Sequence, residues 1–157
     1  MVDDHMTITT DESVSDTIKD MYFIFEVDGE DYGIEIANVV SIIEMKNITR
    51  VPQMPYYIEG ILNLRGDLIG VLNVRKRFRK PPKEYDHNTC IVVIHYSDYT
   101  LGFIVDSVKT TQIILPENVS PPPNAKLNNY NQFIRNIGKV SGDIKLLLDL
   151  ERFLAHD

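Results

Sequence analysis

Apolar and polar residues alternate along this chain in short runs, each closed by Gly, Asp, Asn or Pro, and such runs read as half-buried β-strands. Residues 22–27, 32–36, 58–64, 68–74, 90–96, 101–105 and 144–148 are rich in β-branched and aromatic side chains, which suit a pleated surface. Weaker signals of the same kind lie near 42–45 and 113–115. Asp28-Gly29 predicts a tight hairpin, because both central residues of a primed turn need positive φ. Arg65-Gly66-Asp67 and Ser141-Gly142-Asp143 read as the same device, with glycine taking a backbone conformation that a β-carbon penalises. Helix is confined to short pieces over 74–79 and 150–155, where Asn73 and Asp149 can cap the free N–H groups of a first turn.

The pattern is written twice. IEGILNLRGDL (58–68) lies over IRNIGKVSGDI (134–144) without a gap, residues 71–74 lie over 147–150, and Phe78 lies over Leu154. Upstream, 24–39 lies over 93–108 in the same way. A fixed internal repeat marks one structural unit per copy, so the chain is expected to be all-β. Two closed five-stranded sheets with short helices would remove the exposed edges that open sheets of this size present. Proline-rich joints stand at 52–55, 81–82 and 121–123, and the middle one falls between the copies. The expected organisation is a disordered tail over 1–20, a first barrel over 21–83 and a second over 84–157, with the helix at 150–155 placed to pack at the junction.

Composition narrows the function. The net charge of -7 over 157 residues opposes any role that depends on gripping phosphate backbones, which needs a basic field. No apolar run approaches the roughly 18 residues of a membrane-spanning helix, and the first residues carry neither a basic leader nor an apolar core of a secretory signal. The single cysteine, Cys90, excludes an internal disulfide and points to a reducing cytosol. Residues Arg75, Lys76, Arg77, Arg79, Lys80 and Lys83 break the acidic trend and are expected to form a solvated helix face running into a linker. The rival reading is a nucleic-acid-binding barrel that combines the basic cluster 75–83 with rings such as Tyr22, Phe25 and Tyr57.

Catalytic chemistry finds no footing. His5, His87, His95 and His156 are scattered, and a Cys90–His87 dyad would lack an orienting third group and a glycine-rich oxyanion loop. One cysteine and four dispersed histidines supply no zinc-like ligand spacing, and no phosphate-cradling motif occurs. Neither an enzyme nor a cofactor or metal site is expected.

Polar positions that differ between the copies are where function specific to one half would sit. Alternation puts Glu59, Ile61, Asn63 and Arg65 on one face of their hairpin, opposite Arg135, Ile137, Lys139 and Ser141 in the second copy. Gly60 is matched by Asn136, so its bare backbone suggests close approach by another group. Arg65 reads either as an exposed or internally paired charge or as an arginine anchor in a protein interface.

YGIEI (32–36), Val39, GILNLRG (60–66) and LGFIVDSV (101–108) resemble the CheW-like family of bacterial chemotaxis coupling proteins, and the likeness runs from about residue 22 to the C-terminus. The resemblance implies a non-enzymatic adaptor of two SH3-like β-barrels. Such an adaptor joins the regulatory domain of a CheA-type histidine kinase to the cytoplasmic hairpin tips of methyl-accepting chemoreceptors, at membrane-associated arrays. It implies no nucleic acid, no cofactor and no insertion into the membrane. Partner-binding roles carry over to Val39, Gly60, Asn63, Arg65 and Gly66. One departure stands out: many relatives have Glu where this chain has Ser41, so Arg65 either pairs with Glu35, Glu44 or Glu59 or is open to a partner.

Overall fold

The computed structural model describes residues 18–123 and 132–155. Within them the alternating runs form β1 (Met21–Val27), β2 (Glu30–Glu35), β3 (Val39–Glu44), β4 (Ile58–Leu64), β5 (Asp67–Asn73), β6 (Cys90–Tyr96), β7 (Tyr99–Val105), β8 (Ser107–Ile113), β9 (Val119–Ser120), β10 (Ile134–Val140) and β11 (Asp143–Leu148), with helices α1 (Val74–Arg77) and α2 (Leu150–Leu154). Residues 1–17 of the tail expected to be disordered lie outside the described residues, and its last residue, Asp20, accepts the Ile114 N–H at 2.9 Å. The predicted glycine turns have positive φ at both central positions: 55° and 80° at Asp28-Gly29, 53° and 91° at Arg65-Gly66, 51° and 84° at Ser141-Gly142. Asn73 Oδ1 accepts the Lys76 N–H at 3.3 Å, and Asp149 Oδ1 accepts that of Arg152 at 3.2 Å. Both helices therefore start where the capping residues place them.

The strands form two sheets, with orders β8-β1-β2-β11-β10-β9 and β3-β6-β7-β5-β4. The division at residues 21–83 and 84–157 does not survive this topology. Hairpin β1–β2 pairs with β8 and, in parallel, with β11, while β6–β7 pairs with β3 and, in parallel, with β5. Each copy thus lends its first hairpin to the sheet of the other. The repeat could not disclose this, because hairpins of matching pattern satisfy either partner equally well. Beyond β3 the chain crosses to β4, where Thr49 and Ile61 exchange both N–H···O bonds at 2.8 Å and bring the ends of the second sheet together.

Two apolar clusters follow from strand alternation. The larger takes alternate residues of both sheets, among them Phe25, Tyr32, Ile34, Val92, Ile94 and Phe103, and includes Phe78, Phe133 and Phe153 around the short helices. The smaller is confined to the second sheet, with Leu62, Ile69, Val71, Ile91, Val93 and Ile104 at its centre. Phe78 stacks on Tyr32 at 4.8 Å and meets Phe153 at 5.3 Å between ring centroids, so residues far apart in sequence converge on one ring cluster. Because the larger cluster spans both sheets, the barrels are built as one body.

Candidate docking surface

The β4–β5 hairpin closes on Arg65-Gly66 in the primed turn whose twist matches its strands. A β-carbon at Gly66 would meet nothing within 4 Å, so glycine is required here for its φ of 91° and not for space. Arg65 holds a left-handed φ of 53° despite its β-carbon, a cost of about 1–2 kcal/mol. Asn63 Oδ1 accepts the Gly66 N–H at 2.9 Å. Its counterpart Lys139 has no acceptor to offer, so Asn63 supports the turn as well as being displayed at it. Among the described residues the Arg65 guanidinium makes no ion pair or hydrogen bond. Glu59 is taken by Lys76 at 2.6 Å and by the Asn73 amide at 3.2 Å, while Glu35 and Glu44 are exposed without meeting Arg65. Leu68, the register partner of Asn63, is 67% exposed. The tip therefore presents together an amide, a cation without a partner among the described residues and an aliphatic side chain.

Gly60 and Val39 stand elsewhere. Gly60 has a φ of 149°, and a β-carbon on it would lie 2.0 Å from the Thr49 carbonyl oxygen. The close approach that the sequence suggested is real, and the approaching group is the chain's own backbone. Val39 opens β3 opposite Ile94 and packs half-buried against the larger cluster. Of the five residues singled out from sequence, Asn63, Arg65 and Gly66 are brought together, Gly60 lies buried within the same hairpin, and Val39 sits on the strand at the far end of the sheet order. Leu68 was missed because its run reads simply as strand; the signal available was the two-residue turn, whose register sets Leu68 opposite Asn63, and its counterpart Ile144 is likewise exposed at 57%.

The basic cluster is a correction. Arg75, Arg77 and Lys80 are engaged internally instead of forming a solvated face, while Arg79 and Lys83 stay exposed as expected. Arg75 meets Asp106 at 2.6 Å and Asp28 at 3.0 Å, and Nε donates to the Pro81 carbonyl at 2.9 Å. Lys80 reaches Asp28 at 3.7 Å and Lys83 reaches Asp86 at 3.5 Å. Arg77 is 3% exposed and lies over the rings of Tyr57 and Phe133 at 4.3 and 4.4 Å. A groove for single-stranded nucleic acid needs such cations open along a track of stacking rings; here Arg75, Arg77 and Lys80 are withdrawn from such a track, and Arg79 lies over the Tyr56 ring at 4.9 Å.

Nor does the junction resemble a catalytic centre. Burial pushes the Cys90 thiol up, away from the thiolate that nucleophilic chemistry needs. Asp86 carboxylate accepts from the Asn88 N–H at 2.8 Å and the Thr89 N–H at 3.2 Å, shaping the turn before β6. Among the described residues no group of three or more His, Cys, Asp or Glu side chains could hold a metal ion, and no helix is long and apolar enough to cross a membrane.

Comparison with known proteins agrees with this picture. The family model described as CheW-like domain matches residues 21–157. Chemotaxis protein CheW of Klebsiella aerogenes is 26% identical over 149 residues, covering 95% of this chain and 90% of that one. Its namesake from Bacillus subtilis is 30% identical over 131 residues, covering 83% and 84%. Among solved structures, the scaffolding protein TtCheW from Thermoanaerobacter tengcongensis superposes with a TM-score of 0.77 at 27% identity, over 83% of this chain and 89% of that chain.

Proposed function

The chain belongs to the CheW-like domain family and is a chemotaxis scaffold, and we propose that it couples a CheA-type histidine kinase to the cytoplasmic hairpin tips of chemoreceptors. In this reading it works in the cytoplasm beside membrane-embedded receptors, binds the regulatory domain of the kinase, and carries no reactive group of its own. The observation that carries the proposal is the β4–β5 tip. Arg65, without a partner among the described residues, stands with Asn63 and the exposed Leu68 on a turn whose backbone is fixed by Gly66. An arginine with its planar donors free, next to an exposed aliphatic, is the kind of anchor that dominates protein interfaces. Exchange of hairpins between the barrels supports the coupling role, because partners on different barrels are then held by one continuous core. Gly60 contributes by shaping that body, and Val39, half-buried at the start of β3, is a further partner contact in this reading.

The test is reconstitution with the kinase and a receptor fragment, using Arg65→Glu. Both residues pay the same left-handed backbone cost at position 65, so folding is unaffected while the charge reverses. Complex formation by size-exclusion or co-sedimentation should fall by about 30-fold or more, as expected of a hot-spot arginine, with circular dichroism and melting temperature unchanged. Loss of folding would make Arg65 structural, and undiminished assembly would remove the tip from the interface.

A further inference from the structure

The repeat lets one half of the molecule report what belongs in the other. Around α1, Phe78 fills a groove: it stacks on Tyr32 at 4.8 Å and meets Phe133 edge-on at 5.9 Å. One helical turn before it, Arg75 closes the groove by pairing with Asp28 of the β1–β2 turn at 3.0 Å. In the internal alignment Leu154 stands for Phe78, Leu101 for Tyr32, Tyr57 for Phe133, Glu151 for Arg75 and Ser97 for Asp28. Two rings are thus replaced by smaller aliphatics and the clamping pair is lost. What remains beside α2 is an open apolar groove of about 460 Å³, walled by Tyr57, Leu72, Leu101 and Leu154, with Met54 and Tyr99 exposed at its mouth.

The rim charge is inverted as well. Glu151 lines the groove, and Asp98 lies in the β6–β7 turn between the lining residues Ser97 and Tyr99. Neither carboxylate forms an ion pair among the described residues. An occupant must therefore bring its own cation together with its apolar wedge.

We propose that this groove is a docking site for a helical turn of a partner protein that presents Arg or Lys and, three residues later, Phe or a comparably large apolar side chain. The spacing is that of Arg75 and Phe78, which places both groups on one helix face, and it is what the sibling groove already holds. The site is separate from the β4–β5 tip, so it stands whether or not Arg65 contacts a partner.

The probe is a capped peptide carrying residues 72–80 of this chain, LNVRKRFRK, titrated into the full-length protein and followed by methyl NMR and fluorescence anisotropy. Saturable shifts at the Leu154, Leu101 and Leu72 methyls are expected. Leu154→Phe fills the groove from within and should lower affinity at least about 10-fold, as should the Phe78→Ala peptide, the scale set by burying one large apolar side chain. Glu151→Arg should weaken binding further as salt is lowered. The proposal is overturned if the Phe78→Ala peptide binds as well as the parent, which would make the attraction purely electrostatic. Methyl shifts confined to residues outside the groove, or no binding with millimolar peptide, overturn it equally. The wild-type shift map decides the matter even if Leu154→Phe fails to fold.

Discussion

Arg77→Ala should separate α2 from the body of the molecule. The Arg77 Nε donates to the Phe153 carbonyl at 2.9 Å, and Nη2 donates to the carbonyls of Ala155 at 2.9 Å and Arg152 at 3.4 Å. One guanidinium from α1 thus satisfies the orphan acceptors at the C-terminal end of α2, while Tyr57 and Phe133 cover its two faces. The two shorter of these charge-assisted hydrogen bonds, at about 1.5–3 kcal/mol each, and ring contacts at about 0.5–2 kcal/mol are offset by the cost of burying the cation, several kcal/mol. The net loss on truncation is about 3 kcal/mol, the lower end for breaking a buried charged contact by removing one partner. For a chain of 157 residues that is a fall in melting temperature of about 6–12 °C. Calorimetry at pH 7 should show it as a shift of one transition, because the exchanged hairpins leave no barrel to melt alone. Arg77→Lys should fall between, since an ammonium cannot fork to several carbonyls or stack as a plane. A melting temperature for Arg77→Ala within about 2 °C of wild type would refute the reasoning, as would a lysine variant as stable as the parent.

Three further outcomes follow from local geometry. Gly60→Ala forces a β-carbon to within 2.0 Å of the Thr49 carbonyl oxygen, so it should cost about 2–3 kcal/mol and abolish slow hydrogen exchange at the Thr49 and Ile61 amides; retained protection would contradict the bridge. Gly66→Val meets no neighbour within 4 Å and should cost only the conformational term, about 1–2 kcal/mol; an unchanged melting temperature would deny the positive φ. Asp31→Asn removes the carboxylate that Lys145 reaches at 2.6 Å and Lys109 at 2.7 Å. Burial by itself raises the Asp31 pKa, but hydrogen bonds from both lysines outweigh it and hold it below the usual value. Its contribution to stability is therefore complete above the unfolded pKa of about 3.9 and disappears as pH falls through the lower folded value. The stability gap between wild type and Asp31→Asn, measured by denaturant titration, should be constant near neutrality and shrink below about pH 4; a gap independent of pH would mean that the lysines do not engage Asp31.

How far the fold could be read from sequence depended on whether the cause was local. Glycine turns, caps and strand alternation are set within a few residues, so Asp28-Gly29, Asn73 and the two copies of the β4–β5 pattern announce themselves. Pairing between strands is not local. Because the β1–β2 and β6–β7 hairpins carry the same pattern, the chain holds no short-range mark of which sheet each joins, and the exchanged topology emerges only in three dimensions. The same limit hid the fate of the basic cluster. Arg75 and Arg77 find Asp106 and the Phe153 carbonyl 31 and 76 residues away, and helical spacing says nothing about such partners. At the candidate docking surface, comparison of the copies singles out Asn63 and Arg65, but it presents Gly60 as an approach site without saying that Thr49 occupies it.

Exchange of hairpins also bears on how rigid this scaffold is. A linker between independent barrels would let each barrel move freely. Here Arg75 on α1, continuous with the strand that ends at Asn73, pairs with Asp28 of the first hairpin and Asp106 at the end of β7. Asp106 Oδ2 in turn accepts the Asp28 N–H at 2.8 Å. These groups come from segments assigned to both sheets, and Arg75 and Asp106 have only 11% of their side chains exposed. Removing one member of such a network leaves a charge shielded from water without its partner, which costs more than a surface pair returns. Displacement of one barrel relative to the other is therefore opposed by the apolar cluster and by these ion pairs together, which is the rigidity that the proposed coupling requires.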